Sequence, residues 1–317
     1  MKVTIPDQLK ADVPLTAWGK ILTATPVIMA VISTMLAGLA SSEMTRAQYD
    51  RSLGAQHQSK AGDQWSFFQA KKLRSALQLN SIEILRETVT VRLFDPASLR
   101  SSVESLPAEN AKTAILAVID SEAGKEALTL LQQGKLPLAA TLAALDSKVE
   151  SAIQAVENSA SDAEVHSLLA QVADSVLDES LRQSQARAQE FDNANKPVNQ
   201  SIDKLETQLS GITALAQEHR DFAIARMNFA AMRYDGESRL NQVIANIYEL
   251  KVRKCNISAE RHHSRSQRFF YGMLAAQTGV IIATFAMAAR QRNLLWSLAA
   301  VAGLIAIILA VYVYLCT

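Results

Sequence analysis

FFYGMLAAQTGVIIATFAMAARQRNLLWSLAAVAGLIAIILAVYVYLCT, residues 269–317, decides the fold. Phe269–Ala289 carries no charge over 21 positions and Asn293–Thr317 none over 25, with only Arg290-Gln291-Arg292 between them. At about 1.5 Å per residue, each run is long enough to cross a hydrocarbon core of about 30 Å. So short a linker makes the two a tight antiparallel helical hairpin. A further run, Ile21–Ser42, is uncharged over 22 positions. Aromatic residues mark the ends: Trp18 before the first run; Phe269, Phe270 and Tyr271 opening the second; Trp296, Tyr312 and Tyr314 in the third. Three such runs do not suit the core of a soluble domain. They predict an all-α integral membrane protein with three transmembrane helices.

Ile21–Ser42 reads as a retained anchor rather than a cleaved signal. Gly38-Leu39-Ala40 loosely fits a cleavage site, but the preceding segment is long and bears Asp7 and Asp12. Within the hairpin, small residues recur at every fourth position: Ala275, Gly279 and Ala283, then Ala302, Ala306 and Ala310. Stripes of this kind let helix backbones approach closely, which predicts packing or oligomerisation there. Arg261, Arg265, Arg268 and Trp296 are placed to meet lipid headgroups. Basic residues near the span ends give orientation. Nine flank the middle segment (Arg46, Arg51, Lys60, Lys251, Arg253, Lys254, Arg261, Arg265, Arg268), against five on the other side (Lys2, Lys10, Lys20, Arg290, Arg292). The excess predicts a bacterial inner-membrane, multi-pass protein with a cytoplasmic middle domain.

Residues 43–268 read as helix nearly throughout, a bundle or coiled coil. Leu138, Leu142, Leu145, Val149, Ala152 and Val156 alternate steps of four and three, a heptad seam. Val165, Leu169, Val172 and Val176 repeat it after a capping box, Ser161-Asp162-Ala163-Glu164. Leu205, Leu209 and Ile212 continue, then Phe222, Ala225, Phe229 and Met232, then Leu240, Ile244, Ile247 and Leu250. Breaks are expected at Asp95-Pro96, Leu106-Pro107, Gly134 with Pro137, and Lys196-Pro197. Thr88–Phe94 alternates like a strand but has no strand to pair with, and is assigned to helix. The segments are then an N-terminal tail 1–20, span 21–42, a helical stalk 43–95, an acidic helical insert 96–205, a returning basic helix 206–268 and the hairpin 269–317.

The whole chain holds 32 Lys+Arg against 31 Asp+Glu, a net charge of +1 that gives no reason to expect nucleic acid. That neutrality is a cancellation. Asp95–Glu206 holds 18 acids and 9 bases, and the remainder is correspondingly basic at +10. Two cysteines, Cys255 and Cys316, make no disulfide framework. No phosphate-cradling loop, Gly-x-Ser-x-Gly elbow or His-Glu-x-x-His helix occurs. His262 and His263 are adjacent, so a helix turns them about 100° apart, and Cys255 two turns earlier gives at most a second ligand. No catalytic residue, cofactor or metal is expected.

Asp63-Gln64-Trp65-Ser66-Phe67-Phe68-Gln69-Ala70-Lys71 is the most distinctive local stretch. On a helix Trp65, Phe68 and Lys72 share a face, an aromatic contact followed by cations. Either the returning helix near Tyr248 or Phe229 packs against it, or it meets a partner or lipid. Together with Ala259–His263, Arg268-Phe269, the Arg-Gln-Arg loop and Trp296, this stretch resembles an uncharacterised bacterial three-span membrane-protein family, a domain of unknown function. The resemblance covers roughly 20–95 and 220–317 and implies the three-span topology without an activity. The insert 96–205 departs from that family's pattern.

The functional expectation is a non-enzymatic, homo-oligomeric membrane scaffold or accessory subunit. Its partners are the lipid bilayer, further copies of itself and a larger membrane complex. A channel, transporter or transmembrane sensor subunit is the alternative. The spans offer only scattered hydroxyls and Gln277, however, with no charge to mark a pathway.

Overall fold

The computed structural model describes residues 17–288 and 292–316. The tail with Lys2 and Lys10, loop residues Arg290 and Gln291, and the side chains of Trp18 and Arg292 lie outside what is described. Among the described residues there is no strand. The helices are α1 (Ala17–Thr88), α2 (Pro96–Glu104), α3 (Glu109–Asp120), α4 (Glu122–Gln133), α5 (Ser147–Glu157), α6 (Asp162–Ala170), α7 (Asp174–Leu209), α8 (Ala216–Ala288) and α9 (Arg292–Cys316). Three of them, α1, α8 and α9, contain stretches long and apolar enough to cross a membrane. The chain divides into two compact units: residues to Ala55 with those from Arg253, and Gln56–Val252.

The first unit holds the spans and is packed inside out. Apart from Phe269, its buried positions on the apolar part of α8 are small, Gly272, Ala276, Gly279, Ala283 and Ala286, and on α9 they are Ala299, Gly303, Ala306 and Val313. Large aliphatic side chains point outward instead, such as Val27, Met35, Ile281, Leu304 and Ile308, all more than half exposed. Lipid tails are as apolar as these side chains, so nothing drives them inward and close backbone contact decides the packing. Two glycines lie under one flexible side chain. Met29 of α1 lies over both Gly279 and Gly303, and a methyl group on either would overlap its thioether. Leu36, Phe269, Ala276, Ala306 and Val313 complete this core. Pro26 sits inside α1, which continues through it.

The second unit is a helical bundle. Leu99 and Val103 of α2, Ile115 and Ile119 of α3, and Leu128 and Leu131 of α4 close on Val198, Ile202, Leu205 and Leu209 of α7. Leu215, Phe222 and Phe229 add the start of α8. The predicted seams of α7 and α8 are therefore core. Local chemistry sets the ends. Asp95 caps α2, accepting from the Ala97 and Ser98 N–H groups at 3.2 and 3.1 Å, with Pro96 in the first turn. Ser161 accepts from the Glu164 N–H at 3.3 Å, as a capping box requires. Gly134 ends α4 in the left-handed region at φ +60°.

Four local expectations are corrected. Val89–Asp95 is not helical. Val89, Thr90 and Val91 are β-branched, and Pro96 holds Asp95 extended. Asp221 also captures the Arg92 N–H at 2.9 Å, and Gln217 donates to the Thr90 carbonyl at 3.3 Å. The seam through Leu138, Leu142 and Leu145 does not form either, because residues 135–146 are an irregular strap. After Gly134 and Pro137 no helix restarts. The Arg187 guanidinium instead takes the carbonyls of Ala139 at 3.3 Å and Thr141 at 3.0 Å, supplying from a side chain what a helix would have supplied. Val165 to Val176 is split, since α6 ends at Ala170 and α7 begins at Asp174 with Val172 still buried. Finally, α7 runs through Lys196-Pro197. An internal proline costs about 3 kcal/mol, but buried Phe191 and Val198 flank it and hold the helix in register. The Asn195 amide donates to the Phe191 carbonyl at 2.8 Å.

Leu205 is fully buried where α7 meets its neighbours. Leu205→Ala should lower the unfolding free energy by about 2–5 kcal/mol, read as an earlier thermal transition of the detergent-solubilised protein. Leu142→Ala, on the half-exposed strap, should move that transition far less.

Candidate functional site

In the bundle unit α1 and α8 run antiparallel, and the Trp65 stretch lies along their contact. The Trp65 indole N–H donates to Glu249 Oε1 at 2.7 Å, and Phe68 stands edge-on to the indole at 5.4 Å and 84°. Trp65 and Phe68 are thus brought together, on the returning helix side. One turn along, Lys71 pairs with Glu237, which Arg233 also reaches at 2.9 Å. Lys72 and Arg239 both hold Asp235 at 2.6 Å. The Tyr234 ring lies under three cations: Arg233 at 4.5 Å, Lys71 at 5.4 Å and Arg74 at 5.9 Å. Ser75 closes the row by donating to the Ala231 carbonyl at 2.9 Å.

A cavity of about 280 Å³ opens beside this row, lined by Gln64, Phe67, Lys71, Asp192, Glu237 and Asn241 among others. Partial burial, and then the like charge of Glu237, push the Asp192 carboxyl above the usual carboxylate range. Asp235 goes the other way. Its own partial burial opposes the shift, but Lys72 and Arg239 hold it below that range. Further along, His57 is buried 6.0 Å from the Tyr248 ring, and Lys60 sits 5.9 Å over the same ring. Burial, and then Lys251 and Lys60, push the His57 imidazole below its ordinary value.

In the span unit, buried Glu43 on α1 meets His262 Nδ1 of α8 at 2.5 Å, with Arg46 and Arg265 each 3.8 Å away. Ser266 donates to the Ala40 carbonyl at 2.7 Å. Of the predicted headgroup residues, Arg261 is exposed, Arg265 turns toward Glu43, and Arg268 lies 5.3 Å over the Tyr312 ring. The Trp296 indole N–H donates to Thr25 Oγ1 at 3.3 Å, tying α9 to α1. Of the predicted small-residue positions, Gly279, Ala283 and Ala306 are buried within the chain, and Ala275, Ala302 and Ala310 border them. Phe269 also turns inward, leaving Phe270 and Tyr271 exposed.

The arrangement ties helices together. Among the described residues no three His, Cys, Asp or Glu side chains converge as metal ligands would. Sequence reasoning missed Glu43, Asp235, Glu237 and Glu249. The available signal was charge of opposite sign on two antiparallel helices: Glu43 before a His262 and Arg265 pair, and Lys71-Lys72 before Asp235 and Glu237.

Two outcomes test this. Trp65→Phe keeps most of the ring but loses the donor to a carboxylate, and should cost about 1.5 kcal/mol of unfolding free energy, measured by thermal or denaturant melting. His57 gives a pH dependence. Its unfolded imidazole takes up a proton near pH 6.5, the folded one only at lower pH. Stability is therefore retained above about 6.5 and falls as the pH drops from there toward the folded value. His57→Gln should flatten that slope in melting curves recorded across pH 5–7.

Residues 18–113 match the family model of a domain of unknown function, DUF4337. The match takes in Asp63–Lys71 and continues past Asp95 through α2 into α3. No curated protein matches the chain, and no solved structure does. The match covers the first third of the chain, and residues 220–317, to which the resemblance also extends, lie outside it.

Proposed function

We propose that the protein is a non-enzymatic, homo-oligomeric membrane scaffold or accessory subunit. The helical domain between its first and second spans mediates self-assembly or partner binding. One observation carries this reading: the polar groups of the α1–α8 contact are used to join helices. Trp65–Glu249, Lys71–Glu237–Arg233 and Lys72–Asp235–Arg239 hold two helices in register. None of them presents a nucleophile beside a base, as acyl or phosphoryl chemistry would need. The outward aliphatic surface of the spans supports a multi-pass membrane protein, and the excess of basic residues beside the bundle supports a cytoplasmic bundle in a bacterial inner membrane. Arg261, which is exposed, would contribute roughly 1 kcal/mol on meeting an anionic headgroup.

Native mass measurement of the full chain in mild detergent tests the proposal. Multiples of 34.5 kDa, or a stable complex with other membrane proteins, support it; a lone monomer overturns it.

A further inference from the structure

On α1, the residues turned into the bundle recur every seventh position: Ala61, Phe68, Ser75 and Ile82, of which Ala61, Ser75 and Ile82 are buried. Two residues further on, about 200° around the helix, a second row recurs on the opposite face. Ala70, Leu77 and Ile84 occupy it, with Leu73 and Asn80 between them at alternating steps of three and four. All five are exposed, and Leu73, Leu77 and Ile84 are 62%, 54% and 55% accessible. This is an a/d pattern left uncovered among the described residues. It is not a span, because Lys71, Lys72, Arg74, Glu83 and Arg86 interrupt it.

We propose that Ala70, Leu73, Leu77, Asn80 and Ile84 form a parallel two-helix seam with the same residues of a second copy of this chain. The inference rests on the self-assembly reading above and names its surface. Three features select a second copy. In a two-fold parallel pair each residue meets itself, and Asn80 is the side chain that tolerates this at a core position, because its amide both donates and accepts. The flanking positions carry no like-charge clash: Gln69 comes opposite Arg74 of the second copy, and Glu83 opposite Thr88. Copies anchored in one membrane through the start of α1 also share one orientation, which excludes antiparallel pairing and raises the local concentration that so short a seam needs.

The test uses the full chain in membranes, with Cys255→Ser and Cys316→Ser removing the native thiols. Single cysteines replace Leu73, Leu77, Asn80 or Ile84 on the seam, and Leu79 as an exposed residue beside it. Mild oxidation should convert most of the chain to covalent dimer at the four seam positions, with several-fold less at Leu79. Asn80→Asp, which sets two carboxylates face to face in such a pair, should lower crosslinking at Leu73 and Leu77 several-fold. If the protein is oligomeric but crosslinks no better on the seam than at Leu79, this seam is wrong and the self-assembly reading stands. If it is monomeric, both fall.

Discussion

Antiparallel contact between α1 and α8 is the constraint on which everything else in each unit depends. In the span unit it is made by Gly272 and Gly279 against Leu36 and Met29, by Ser266 on the Ala40 carbonyl, and by His262 on Glu43. In the bundle unit it is made by Tyr248 beside His57, Glu237 on Lys71 and the Ala231 carbonyl on Ser75. Remote segments of the chain meet in both, so each contact closes a long loop, whose entropic cost the flanking cores must offset. The change of chemistry between the units follows solvent. Against lipid, close packing and a few hydrogen bonds hold helices together; against water, apolar burial does so, with ion pairs setting register.

Much of this was legible in the sequence. The three helices long and apolar enough to cross a membrane follow from the long uncharged runs, and the seams in α7 and α8 from apolar spacing. Two of the failures, at Val89–Asp95 and at the strap, share one cause: competition for backbone groups by distant side chains. Arg187 takes the carbonyls of Ala139 and Thr141 from 46 to 48 positions away, and Asp221 takes the Arg92 N–H from 129 away. No local pattern can register such partners. Pro197 is the converse, a strong local breaker overruled by burial on both sides. The contacts of Trp65 were half legible: the side chain and its face could be read, but Glu249 could not, because register across two long helices is a property of the pair.

The acidic stretch from Asp95 to Glu206 takes a different meaning once placed. Its helices α2, α3 and α4 pack in one core with its own α7 and with the opening turns of α8. It cannot therefore be regarded as an ornament hung on a finished scaffold. Removing it would strip Phe222 and Phe229 of their cover.

The seating of Met29 between Gly279 and Gly303 carries a consequence for how such a chain can change over generations. Outward positions of the spans ask only for an oily surface, so Leu, Ile, Val and Phe can exchange there freely. Inward positions ask for glycine or alanine, since the neighbouring helix leaves room for little more than a methyl group. Related chains will therefore keep a sparse rhythm of tiny residues at positions 272, 276, 279, 283 and 286 while the oily letters around it scramble. Searches weighted toward hydrophobic similarity will overlook that signature, which is written in what has been left out.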